Sequence, residues 1–246
     1  MDNNVITPHI SRRYDQKLEE LFNRILSMGG QVEAQMQRAF DALRHNNAAL
    51  AKEVISHDRF INRQEASIDA LCIRILASQQ PTAVDLRLIM SAIHIVTDLE
   101  RMGDEVTKMA RMVINLCDSD QPCDCQAIAG YSHLVEMTLC AQDMIKIALD
   151  SFAHLDAKKA LTLLPKEAKA DEEYRAAQKL MREHMMQNPE QIPPMLDLLN
   201  TLRAMERVTD HCLNVAEHVF YIVEGSDMRH ISSERLAEVT NKYGEL

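Results

Sequence analysis

"LERMGD" (99–104) returns, altered but legible, as "MERVTD" (205–210). Both read apolar, Glu, Arg, apolar, small, Asp. Setting Glu100 on Glu206, an offset of 106, brings Arg101 onto Arg207 and Asp104 onto Asp210. Upstream, "NNAALAKEVISHDRFINRQE" (46–65) falls on "LDAKKALTLLPKEAKADEEY" (155–174) at an offset of 109. The three-residue difference fits a shorter connection in the later half. A chain with two such copies is a doubled unit, and that reading comes before any other decision about fold.

Each unit reads as three helices. Leu18, Leu21, Ile25, Met28, Val32, Met36, Ala39 and Leu43 recur every three or four residues and make one helix face. Gly29-Gly30 is expected to interrupt or bend that helix. A second helix carries Leu50, Val54, Ile61, Ile68 and Ile75. Thr82 with Asp85 forms a capping-box start for a third. That helix carries Leu86, Ile89, Met90, Ile93, Val96 and Leu99. In the later half, Leu134 to Leu155 form the fourth helix. A fifth runs from a cap at Asp156 to about His184, with Pro165 near its start. A sixth carries Met195 to Phe220. Gly 6 and Pro 7 in 246 residues are too few for the turns of a β fold. The expected fold is all-α, two tandem sequence-repeated antiparallel three-helix bundles. The expected boundaries are 1–116 and 127–226, with a polar linker at 117–126 and a polar tail at 227–246. Most of the 15 methionines sit at seam positions and are expected to pack in the core.

A net charge of −10 excludes a general nucleic-acid binder. No concentrated run of positive charge marks a bare phosphate site either. No segment approaches 18 apolar residues and the N-terminus lacks an apolar targeting core, so the expected location is cytoplasmic. Cys72, Cys140 and Cys212 read as small packing groups. Cys117, Cys123 and Cys125 lie in "CDSDQPCDCQ", which lacks the paired spacing and fourth ligand of a zinc site.

The acidic phrases are the anomaly. Ile93 plus seven is Glu100, and Leu199 plus seven is Glu206, so each Glu falls where the helix pattern asks for an apolar side chain. Asp104 and Asp210 follow one turn on, on the same face. In the partner helices Asp58 and Glu65 interrupt the Val54–Ile61–Ile68 seam, and Asp171 follows Glu167 by one turn. Converging carboxylates repel and resist desolvation, so positive charge must compensate. Two sources are open. One is a hard cation held by oxygen ligands. The other is a salt-bridge network through Arg101, Arg203 and Arg207. Doubling in register favours the cation. A di-metal bundle oxidase would use Glu-x-x-His, and none of the ten histidines has Glu three residues before it. There is no P-loop and no GxSxG. His211, beside Asp210, reads as an ordinary surface or interface histidine. A purely structural scaffold with ion-paired acids is the remaining alternative.

"TDLERMGDEVTKMAR" (97–111) and "RAMERVTDHCLNVAEHV" (203–219) resemble the paired signature of the PhoU family, the bacterial phosphate-uptake regulators. "MGGQVEAQMQRA" (28–39), "QPTAVDLRLIM" (80–90) and "MRH" (228–230) are similar as well, so the resemblance covers almost the whole chain. It implies two tandem three-helix bundles and a non-enzymatic adaptor that represses the phosphate-starvation response. Implied partners are the phosphate ABC transporter, chiefly its ATPase, and a membrane sensor histidine kinase. It also implies homodimers, a place beside the membrane through those partners, and a metal ion (Mg, Mn, Fe or Zn) held by the acidic motifs. Carried over by position, the ligands are Glu100, Asp104, Glu206 and Asp210. Asn214 and Glu217 continue the second motif, and Asp58 and Asp171 face the motifs from the neighbouring helices. The first half departs from the pattern with Lys108 and Arg111. Lys108, one turn from Asp104, is expected to neutralise it, leaving the better site in the second half.

Overall fold

The computed structural model describes residues 12–79, 81, 83–118, 124–226 and 228. The predicted cap Thr82, Cys123 and the tail beyond 228 lie outside them. Helices α1 (Arg12–Arg44), α2 (Ala48–Ser78) and α3 (Ala83–Cys117) form one antiparallel bundle. Helices α4 (Tyr131–His154), α5 (Ala157–Leu161), α6 (Leu163–Gln187) and α7 (Ile192–Glu224) form the second. Helices α5 and α6 together occupy the place of one helix. No strand occurs among the described residues.

The turns follow local chemistry. Asn47 caps α2 by accepting from the Leu50 amide at 3.0 Å. Asp156 caps α5 by accepting from the Lys159 amide at 2.9 Å. The fifth helix of the sequence reading is broken at Thr162. Pro165 has no N–H for the Leu161 carbonyl, and its ring crowds that turn, so the chain restarts as α6. Pro189 opens a single 3₁₀ turn before α7. Gly225, at φ 72°, ends α7 in the left-handed conformation that favours glycine.

The core is continuous across both bundles. Phe22 of α1 stacks on Phe152 of α4 at 4.6 Å between centroids. Phe152 is fully buried, which contributes about 1.5–3 kcal/mol. Met28, Met36, Met109, Met144, Met181 and Met205 are fully buried, as their seam positions predict. Leu86 and Met90 are exposed instead. The inward stripe of α3 runs through Leu88, Ile89, Ala92, Ile95, Val96 and Leu99, and those two flank it. Gly29 does not interrupt α1, which is helical throughout. A Cβ there would meet Leu149 Cδ2 at 2.2 Å, so glycine lets α4 lie against α1. The 124–126 segment docks on the α1–α2 turn: Asn46 Nδ2 donates to Asp124 Oδ1 at 2.8 Å, and the Cys125 amide donates to Asn46 Oδ1 at 3.2 Å.

The two halves meet chiefly along α3 and α7, the helices that carry the acidic phrases. Asp98 is buried in this seam. Its Oδ1 lies 2.9 Å from His211 Nδ1 and accepts from Asn214 Nδ2 at 3.1 Å. His218 Nε2 lies 3.9 Å from its other oxygen. His94 stacks on His218 at 5.0 Å between centroids.

Candidate metal centre

In the second half, α6 and α7 present their carboxylates to one another. One carboxylate oxygen each of Glu167, Asp171 and Asp210 lie within 4.8 Å of one another. Among the described residues this is the one group of three His, Cys, Asp or Glu side chains drawn so close. Glu206, one turn before Asp210, is buried. Its Oε1 takes a hydrogen bond from Arg203 Nη1, and its Oε2 is buried without a partner. Asp171 Oδ2 accepts from the exposed Arg175 at 2.9 Å.

The electrostatics follow from burial and crowding. Burial, then the Asp210 charge, pushes the Glu206 carboxyl up from its ordinary value. Burial, then Asp171, does the same to Asp210. Glu167 is raised by burial and by Asp171 and Asp210. Three acids pushed toward their neutral forms, and an orphaned buried oxygen beside them, are a donor set short of positive charge. Oxygen-only donors from two helices fit a hard divalent cation.

In the first half, Asp58 and Glu65 on α2 face Glu100 and Asp104 on α3. Burial, then Asp104 and Glu65, raises Glu100. Asp58 is raised by burial and by Asp104, against a hydrogen bond from Gln35 Nε2 at 3.2 Å that favours its charge. Burial, then Asp69, raises Glu65. Gly103 makes the approach possible, since a Cβ there would come 3.1 Å from Gln35 Oε1 and 3.3 Å from Asp58 Oδ1. The four acids influence one another, but no three reach the spacing of the second-half group. Arg101 Nε lies 3.8 Å from Glu100 Oε2.

Three placements differ from the sequence expectation. Lys108 does not take Asp104; its ammonium lies 2.5 Å from Glu105 Oε2. Asn214 is not turned to the Asp210 group. Four residues advance a side chain by about 40° around a helix, and Asn214 donates to Asp98 across the seam. Glu217 is half-buried and outside the close group. Glu167, which the sequence marks only as one turn before Asp171, is a full member.

The sequence also hides a basic groove. Lys108 and Arg111 of α3 and Arg203 and Arg207 of α7 line one depression with Glu105 and Asp197. No run of the chain is basic, yet the fold gathers four cations from two distant segments.

The PhoU domain family model matches residues 25–113 and 134–219, one match per half. The chain is 41% identical over 241 residues to the phosphate-specific transport system accessory protein PhoU homolog of Pseudomonas aeruginosa, covering 98% of both chains. It is 34% identical over 237 residues to the phosphate-specific transport system accessory protein PhoU of Escherichia coli (strain K12), covering 96% of this chain and 95% of that one. The crystal structure of PhoU from Pseudomonas aeruginosa superimposes with a TM-score of 0.81 at 39% identity, covering 87% of this chain and 100% of that one. The phosphate transport system regulatory protein PhoU from Streptococcus pneumoniae gives 0.77 at 28% identity, covering 87% and 99%. With its signature doubled, its two bundles matched one by one and its relatives aligned nearly end to end, the chain belongs to the PhoU family.

Proposed function

We propose that this protein is a non-enzymatic accessory regulator of phosphate uptake. It holds the phosphate-starvation response off when phosphate is plentiful, and links the ATPase of the phosphate ABC transporter to a membrane sensor histidine kinase. The observation that carries the reading is the doubled acidic motif on the facing helices of a fold whose relatives bear the name of phosphate transport accessory proteins. No helix among the described residues is long and apolar enough to cross a membrane. A cytoplasmic place, reaching the membrane through those partners, fits that, with the protein acting as a homodimer. The same reading divides the chain at 1–116 and 127–226, with 117–126 as connection and a tail from 227.

Glu167, Asp171, Glu206 and Asp210 would hold the metal in the second half. Asp58, Glu65, Glu100 and Asp104 form a weaker counterpart in the first. A bound divalent cation would supply the positive charge these acids lack and fix α6 against α7. The protein's own part is to hold the carboxylates together on rigid helices, keep them half-dry, and leave Glu206 Oε2 without another partner. Oxygen-only donors favour Mg²⁺, Mn²⁺ or iron over Zn²⁺.

The test is genetic. Deletion of the gene should leave phosphate-regulated genes switched on in high phosphate. Full repression in the deletion strain rejects the regulatory role.

A further inference from the structure

The basic groove between α3 and α7 lies on the seam of the two halves, with Arg203 bridging it to Glu206 of the acidic centre. It encloses about 530 Å³, within the range of small-molecule sites. Four cations line it in a chain of net charge −10. Lys108 and Arg207 share one buried carboxylate, Glu105, at 2.5 and 3.1 Å. Arg203 bonds Glu206 and lies over the Tyr174 ring at 5.6 Å, which holds its guanidinium at the rim. Arg111 is exposed and makes no hydrogen bond or ion pair with any described residue. Glu105 and Asp197 are the groove's acids against its four cations, and the Arg111 charge also acts on Asp58 of α2.

The repeat sharpens the point. At the offset of 106, Lys108 falls on Asn214 and Arg111 on Glu217. The opposite face of the α3–α7 pair therefore lacks these cations and is closed by Asp98, His211 and Asn214. Arg203 falls on Thr97, so three of the groove's four cations have no basic counterpart in the other half, and only Arg207 matches a cation, Arg101. Lys108 and Arg111 do not pair with Asp104; they face the groove with Arg203 and Arg207.

We propose that this groove binds a phosphate oxyanion, as orthophosphate or a small phosphomonoester. Three guanidinium groups and a lysine ammonium lining one groove suit tetrahedral oxyanion chemistry, with Arg111 the cation that no carboxylate bonds. The proposal is independent of the regulatory reading, since binding is read on the purified chain and repression in the cell.

The experiment is calorimetric titration of the full chain with orthophosphate, with glycerol 3-phosphate as competitor and phosphatidic acid vesicles as a separate arm. Saturable orthophosphate binding is expected, with Arg111→Gln and Lys108→Gln each weakening it about tenfold. Arg111 is exposed, so its variant keeps the wild-type melting curve. Absence of saturable binding overturns the proposal. So does binding that is unchanged in both variants, or binding to the vesicles alone.

Discussion

Asp171 of α6 and Asp210 of α7 bring carboxylate oxygens within 4.8 Å of each other, with Glu167 beside them. Such a juxtaposition is unfavourable by itself. Arg175 reaches Asp171 only from the exposed side, and Arg203 reaches Glu206 by one oxygen. Crowded, raised carboxyls recur in both halves of the repeat, and the proposed cation would offset that cost.

The pH dependence of stability follows from the raised carboxyls. Glu100, Glu167, Glu206 and Asp210 all titrate above their ordinary values in the folded chain. The native state therefore binds more protons than the unfolded one just above the ordinary carboxylate range, and stability falls as pH rises through it. Without metal, the melting temperature should rise on acidification from pH 7 toward about 5. With excess Mn²⁺ the gain at neutral pH should be largest and should shrink as protons displace metal. A metal-free protein most stable at pH 7 or above speaks against this.

The two halves should differ. Asp210→Asn removes one member of the close group and should abolish most of the Mn²⁺-induced rise in melting temperature, while leaving the metal-free protein as stable as wild type or more so. Asp104→Asn should retain most of that rise, because no three first-half acids share the tight spacing. Equal losses in the two variants would remove the asymmetry.

Asp98 holds the seam. Asp98→Ala leaves His211 and Asn214 without their shared acceptor in a half-buried interface. The expected cost is about 1–3 kcal/mol, read as a lower urea midpoint at unchanged slope. Asp98→Asn keeps an acceptor oxygen and should recover part of it.

Adjacent glycines in α1 should respond differently to alanine. Gly30 has open space around its missing Cβ, so Gly30→Ala should stabilise by about 0.5–1 kcal/mol. Gly29→Ala drives a methyl into Leu149 and should lose that gain, leaving stability at or below wild type. Equal gains from both would show that the Leu149 side chain yields to the added methyl without cost.

Five of the six expected helices were legible because each keeps its 3.6-residue stripe for more than six turns; the expected fifth is split into α5 and α6. The doubled phrase located both acidic centres. What failed lay in the third dimension. Lys108 and Asp104 are neighbours on a helix surface, and nothing in the spacing says that Glu105, buried on the α7 side, competes for the ammonium. Asn214 continues the motif in one dimension but turns toward Asp98 of α3, and nothing in the spacing along α7 reveals that contact. The basic groove is invisible along the chain because α3 and α7 each supply two of its cations. Pro165 did carry a visible signal for the break at Thr162, since it sits too deep in the helix for a first turn begun at Asp156.

Anomalous scattering from crystals grown with Mn²⁺ would locate the metal itself. A peak bounded by Glu167, Asp171, Glu206 and Asp210, stronger than any peak at Glu100 and Asp104, is the expected result of metal binding by these acids. No peak at that position in crystals saturated with the metal would contradict it.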